Sequence, residues 1–350
     1  MDSRLHIINN LNYDILYQCY DDVYRYIKNH KSIAKGKRIA IKLNLVGPHK
    51  PEAAATTHPE VVSLIVDILI SLECEVMLCE DIDGISILEE TKILPILKKY
   101  GLSFYNLREY GYKSIEAFGE TYQYSELIDT CDVFIEIPKF KTHMLTHYTG
   151  AIKNLYGCIK RKQRKDLHKN IDEDDFAKII CSVYSIRKPD IVIMDAITAM
   201  EGWGPSLGQP KYLGKLVLST DGVLVDYYLV LTAGFKPEQL KTLQNAIKRH
   251  LSEFASEEDI FQYCSPYVKE EKFNRLPVYF GRQREKYIEI LRRSLHINQD
   301  ECIHCGKCKD ACPFNAIDME SNMYQCNSEK CNLCTCCLEL CPVGAIRLRL

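Results

Sequence analysis

At 350 residues, with 46% hydrophobic and 26% charged residues, the chain is long enough for a substantial core plus a small module and has the composition of an ordinary globular protein. A formal net charge of -2 argues against a general nucleic-acid binder, and the longest apolar run, Val61 to Ile70, is interrupted by Ser63 and Asp67 and is too short for a membrane span. Of the 17 cysteines, ten fall in the last 49 residues and the other seven are scattered singly; with no apolar export signal after Met1, this pattern indicates a reducing, cytoplasmic environment.

The first 36 residues begin with a short apolar stretch, Leu5 to Ile8, and a tyrosine-rich helical segment, Tyr13 to Lys28. Lys37 to Val46 reads as a strand because its β-branched residues suit a pleated surface, and Gly47-Pro48 stops it. Thr57 and Glu60 have capping-box spacing with Pro59 in the first turn, so a helix runs from there to about Cys74. Glu75 to Glu80 is a second strand, leaving through the acidic loop Asp81-Ile-Asp83-Gly84; a helix from Ser86 to Tyr100 and a strand from Leu102 to Asn106 follow. Strands alternating with helices of about ten to fifteen residues indicate an α/β fold, a mostly parallel sheet with helices on both faces. Ligands of such sheets sit at the C-terminal ends of the strands.

The strand Asp132 to Ile137 runs into Pro138-Lys139-Phe-Lys141-Thr142-His143 and, after a short loop, into Thr149 to Gly157, which carries Lys153 and Asn154. Three lysines, a histidine and an asparagine at one strand end are more polar and cationic than a structural exit needs, which suggests an anion pocket. A helix beginning near Thr149 would aim its N-terminal N–H groups at the same place. The basic run Lys160 to Lys165, with His168, reads equally well as a solvated loop or as an extension of that pocket. Phe176 to Arg187 is an amphipathic helix, and Pro189 to Asp195 is a strand entering the glycine-rich segment from Glu201 to Gly208. Lys215 to Thr220 is a further strand, followed by Asp221 and Asp226. Asp195, Asp221 and Asp226 are able to bind a divalent cation or to fix the lysines, but capping and loop hydrogen bonds are the simpler use for them. Helices from Pro237 to His250 and from Arg284 to Arg293 complete a domain of residues 1–290, with the stretch Cys264 to Gly281 marking the boundary.

The terminal segment holds two C-x2-C-x2-C-x3-C-P runs, Cys302/Cys305/Cys308/Cys312/Pro313 and, 29 positions later, Cys331/Cys334/Cys337/Cys341/Pro342. Three closely spaced thiolates suit three corners of one cubane. Structural zinc has no tetrahedral use for a third cysteine at the same short gap, and disulfides lack a secretory context. The segment resembles the bacterial-type two-cluster ferredoxins over residues 297–350, which implies a small α+β module binding two [4Fe-4S] clusters with the fourth cysteines exchanged. Cys302, Cys305, Cys308 and Cys341 would ligate the first cluster, and Cys331, Cys334, Cys337 and Cys312 the second. Cys336 and Cys326 are left over as non-ligands.

Lys42-Leu-Asn44, Thr57-His-Pro-Glu60, Pro138 to His143, Lys153 to Gly157, Glu201 to Pro205 and Asp221 to Asp226 resemble the landmarks of the family catalogued as domain of unknown function 362, over roughly residues 37–235. Its members are often fused to a ferredoxin-like module and described as iron-sulfur proteins. The resemblance implies one site formed by the pocket residues, adding Lys42 and Asn44 to Lys139, Lys141 and Asn154 as anion ligands, but it supplies no reaction. The acidic loop at Asp81 departs from the family's expected serine- or proline-bearing turn. Two functions follow. One is an iron-sulfur oxidoreductase acting on a small anionic substrate or a redox partner protein, with His143 as proton donor and Lys153 as the second catalytic group. The other is a non-catalytic ferredoxin-type carrier whose α/β domain docks another enzyme.

Overall fold

The computed structural model describes residues 4–169, 172–274 and 295–348, so the expected helix from Arg284 to Arg293 and the end of the expected boundary stretch lie outside the described residues. Eleven strands belong to the larger part: β1 (His6–Ile8), β2 (Arg38–Lys42), β3 (Glu75–Glu80), β4 (Phe104–Asn106), β5 (Tyr112–Ala117), β6 (Glu120–Ser125), β7 (Val133–Glu136), β8 (Lys139–His143), β9 (His147–Thr149), β10 (Ile191–Glu201) and β11 (Gln209–Ser219). Among the described residues nine of them form one sheet, in the order β1-β11-β10-β7-β2-β3-β4, with β8 added to β10 and β9 to β8. The β10, β7, β2, β3 and β4 strands run parallel, while at one edge β11 lies antiparallel to β10 and β1 antiparallel to β11.

The parallel strands are apolar on both faces because helices cover both. Along β2, Ile39 and Ile41 pack with Val61, Ile65 and Ile68 of the helix Pro59–Ser71, while Ala40 between them faces the opposite core, with Phe176, Ile180 and Leu224. The chain proceeds from β2 to β3 and β4 on one side and then returns to β7 and β10 on the other. The crevice beyond the ends of β2 and β7 is therefore a topological switch point, the place where such sheets bind ligands.

Several elements differ from the sequence expectation. The polar exit from Lys139 to His143 is itself a strand, because β10 extends past Asp195 and offers it an edge. The basic run is the helix Arg161–Leu167 instead of a loop. The helix expected from Ser86 to Tyr100 is two helices, Ser86–Glu90 and Ile93–Tyr100, divided at Lys92, whose φ is 60°. The hairpin of β5 and β6 was not foreseen; it buries Tyr122 and Tyr124 from alternate positions of β6.

In the terminal module the sequence duplication is also a structural one. The helices Lys307–Ala311 and Cys336–Leu340 are 29 residues apart, and two antiparallel pairs, Leu295–Ile297 with Ile346–Leu348 and Ile317–Glu320 with Met323–Cys326, interlock the halves. Equivalent hydrogen bonds cross between repeats: Asn298 N–H to Ala345 O and Asn327 N–H to Ala316 O, both 2.7 Å. Gly306 and Thr335, at equivalent positions, both have left-handed backbones, which turns each cysteine loop into its helix. The module has its own core of Ile297, Ile317, Leu338 and Ile346, against which Met144, Trp203 and Leu207 of the larger part pack.

Candidate functional site

The cysteines of the two runs gather in fours. Cys302, Cys305, Cys308 and Cys341 line one cavity, walled by Ile297, Tyr324 and Ile346. Cys312, Cys331, Cys334 and Cys337 line the other, walled by Leu295, Phe314 and Ile317. Each group draws its fourth thiol from the opposite run. Backbone N–H groups are directed at the sulfurs: Ala316 to Cys312 Sγ and Ala345 to Cys341 Sγ, both 3.2 Å, and Leu333 to Cys331 Sγ, 3.5 Å. Four thiols in an apolar surround with N–H donors to sulfur fit the needs of a four-iron cluster, whose potential such hydrogen bonds tune. Cys326 reaches the second cavity, whereas Cys336 turns away from both.

Cys336 faces a third and much larger cavity of about 730 Å3, which opens between the sheet's C-terminal edge and the module. The α/β part contributes Lys42, Asn44, Lys141, Lys153 and Asn154 to its wall; the module contributes Cys305, Lys307, Cys336 and Glu339. Lys42 is neutralised locally: its Nζ donates to Glu80 Oε2 at 2.7 Å and to Leu43 O at 2.9 Å. Gly157 makes room for this pair, since a Cβ there would lie 3.1 Å from Lys42 Nζ.

Lys141 has no such partner. Its Nζ donates to Asn44 Oδ1 at 2.9 Å and Ala55 O at 2.6 Å, both uncharged acceptors. Burial pushes its ammonium down to about 7, and Lys153 and Lys139 push the same way against Glu339 and Glu80. The Lys153 side chain makes no hydrogen bond or ion pair among the described residues and is half-buried, and desolvation lowers its pKa as well. Thr149 pairs with Lys141 across β8 and β9, and its buried hydroxyl has no hydrogen-bond partner among the described residues.

Behind Lys141 a line of amides points one way. Asn44 Nδ2 donates to Asn154 Oδ1 at 2.9 Å, and Asn154 Nδ2 donates to Glu136 Oε2 at 3.2 Å. Glu136 closes β7, is fully buried, and is pushed well above the usual carboxylate range by that burial; its Oε1 has no partner. The line fixes which atom each amide presents, so Asn44 can only accept from Lys141.

The acidic loop organises the positive rim. Asp81 is contacted by Arg108, by Arg164 and by Arg161 at 3.5 Å. Asp83 is contacted by Arg108 at 3.1 Å, Arg161 at 3.6 Å and, from the module, Lys307 at 3.4 Å. Two carboxylates thus hold four cations, three of which line the cavity. No sequence spacing signalled this, because the loop and the basic helix are about 80 positions apart; only the departure from the family pattern marked the loop as unusual.

Other expected site residues lie elsewhere. Lys139 is absent from the cavity wall: it is fully buried with its Nζ 2.8 Å from Asp195 Oδ2 and 3.0 Å from the Tyr13 hydroxyl. His143 is also off the wall. Its Nδ1 accepts from Leu145 N and Thr146 N at 3.1 and 3.3 Å, which leaves the proton on Nε2, 3.7 Å from Glu339. Burial first, then Lys153, pushes its imidazole down to about 3, so it is a neutral link to the module and not a protonated acid. The helix after Thr149 does not offer its N–H groups to a ligand, because Asp226 takes those of Ala151 and Ile152 at 2.7 and 3.1 Å. Asp221 likewise caps Val223 and Leu224, and Asp195 binds Lys139, Tyr13 and the His58 N–H. Asp221 and Asp226 thus serve as caps, whereas Asp195 fixes a lysine, Lys139, in a buried ion pair.

The model of a family described as a domain of unknown function (DUF362) matches residues 39–230, and that of a 4Fe-4S dicluster domain matches residues 295–348. The thylakoid-associated protein sll1697 of Synechocystis sp. is 26% identical over 231 residues, 64% of this chain and 72% of that protein. Among solved structures, the lactate racemase apoprotein from Thermoanaerobacterium thermosaccharolyticum superposes with a TM-score of 0.42 at 11% identity, over 65% of this chain; the match spans 57% of the racemase chain. Among the described residues no helix is long and apolar enough to cross a membrane.

Proposed function

The chain belongs to the DUF362 family, and we propose that it is an iron-sulfur electron-transfer protein in which two [4Fe-4S] clusters exchange electrons with a small anionic ligand held in the cavity between the two parts. Cys302, Cys305, Cys308 and Cys341 hold one cluster, and Cys331, Cys334, Cys337 and Cys312 the other. When bound, the clusters supply one-electron steps at potentials set by their surroundings. The observation that carries this reading is the composition of a single cavity: Lys141 and Lys153 form one part of its wall, and Cys305, a cluster ligand, and Cys336, beside the ligand Cys337, form another.

Lys141 and Lys153 attract the anion, while Asn44 and Asn154 fix the direction in which Lys141 points. Lys307 ties the module to the acidic loop, so the wall bearing Cys305 stays against the ligand. The singly scattered cysteines support a reducing, cytoplasmic compartment.

The test is made on anaerobically purified protein, which should carry about eight irons and bleach with dithionite. Phosphorylated and carboxylated metabolites are then screened for their effect on reoxidation of the reduced clusters. At least one anion should accelerate it, and Lys153→Ala should abolish the effect. Iron-free, zinc-bearing protein sinks the cluster assignment. Intact clusters indifferent to every anion leave a ferredoxin-type carrier whose α/β domain docks a partner.

A further inference from the structure

Resting on the reading of this cavity as the ligand site, we propose that its ligand is a small organic dianion with an oxyanion at each end, one seated on the buried floor and the other held at the exposed rim. The floor is made by Lys141, Lys153 and Thr149. Neither lysine forms a side-chain ion pair among the described residues; Glu339, on the same cavity wall, offsets only part of their charge, and the buried Thr149 hydroxyl, unpartnered among the described residues, is a donor that an oxyanion satisfies. An oxyanion answers all three needs: it is the chemistry that satisfies the buried Lys141 ammonium, the half-buried Lys153 ammonium and an orphan hydroxyl together.

The rim is a separate charge centre. Arg161, with its side chain 32% exposed, shares Asp81 and Asp83 with three other cations, so the carboxylates do not cancel the charge around them. Lys162 is exposed, and among the described residues Lys165 donates only to the Asp310 carbonyl, at 2.5 Å. A ligand with one anionic group satisfies the floor and leaves this surplus unanswered. The apolar part of the wall, Leu45, Val46 and Leu340, accommodates a carbon skeleton, and 730 Å3 is ample for a metabolite-sized molecule.

The experiment titrates the full chain, purified anaerobically with its clusters, by calorimetry. The probes are straight-chain dicarboxylates from succinate to pimelate, the monocarboxylates of equal length, and phosphorylated carboxylates of similar span, which separate a carboxylate from a phosphate at either end. At one length the dianion should bind about tenfold or more tighter than its monoanion, the effect of one added charge-assisted contact. Replacing both rim lysines, Lys162→Ala with Lys165→Ala, should lower that ratio, with dianion affinity falling more than monoanion affinity. Lys153→Gln should weaken both ligand types alike. Equal binding of mono- and dianions at every length, or a ratio indifferent to the rim pair, overturns the proposal. A dianion that binds with rim dependence but leaves cluster reoxidation unchanged overturns the electron-transfer reading and leaves the ligand class standing.

Discussion

Lys141 couples the cavity to pH. In the native protein its ammonium lies near 7 because burial, and then Lys153 and Lys139, oppose the charge, while Glu339 and Glu80 favour it incompletely. The ordinary lysine value applies in the unfolded chain, so between about pH 7 and 10.5 the unfolded state binds a proton the native state lacks. Through this group alone, stability rises with pH across that window. Anion binding has the opposite sign, because an oxyanion on the floor favours the protonated ammonium and binding takes up a proton above pH 7. Affinity for a fully ionised probe should therefore fall from pH 7 to 9 by up to about tenfold per unit. Calorimetry at several pH values checks this; in Lys141→Gln the affinity should be lower at pH 6 and its fall between pH 7 and 9 shallower than in the wild type. A wild-type affinity that rises with pH removes Lys141 from the floor.

At the scale of elements, the site depends on a close approach at Gly150. A Cβ there would lie 2.1 Å from Asp226 Oδ1, the atom that receives the Ala151 N–H and fixes the short helix Ala151–Asn154 bearing Lys153 and Asn154. Gly150→Ala should expel the carboxylate, losing a cap and straining the core, at a cost of about 2 to 4 kcal/mol. Urea denaturation reads this as a lower midpoint with unchanged slope, and anion binding should weaken in parallel. Much of this region was legible in the sequence. The β2, β3 and β7 strands announce themselves by apolar runs, and Lys141, Lys153, Asn44 and Asn154 cluster at strand ends. Lys139 was grouped with Lys141 because they lie two apart on one strand. They part because the register of β10 shifts: Lys139 faces Asp195, whereas Lys141 faces Met200 and Thr149. That irregularity, like the pairing of Asp81 with a helix 80 positions away, is a tertiary fact with no local signature. His143 stands off the cavity wall, and composition does not reveal that its Nδ1 is occupied by two backbone donors.

At the scale of the whole molecule, the module is fastened by its repeat units, not by its surface alone. Gly47 passes so close to Glu339 that a Cβ would lie 2.7 Å from its carbonyl oxygen, and Lys307 and Lys165 bridge the first repeat to the acidic loop and the basic helix. Each repeat thus brings its own cysteine, Cys305 or Cys336, to the cavity wall, and the exchange of fourth cysteines makes neither repeat complete without the other. The exchange makes a prediction that separates it from the linear alternative, in which each run holds its own cluster. Cys305→Ser and Cys341→Ser should alter the same cluster, and Cys334→Ser and Cys312→Ser the other, although each pair spans both runs. Electron paramagnetic resonance of the reduced proteins distinguishes the two signals, and iron analysis shows whether one cluster is retained. If Cys341→Ser instead reproduces the spectrum of Cys334→Ser, the runs are independent. The cavity's two cysteine walls would then report on clusters held separately, without the interlock that binds metal loading of one repeat to the folding of the other.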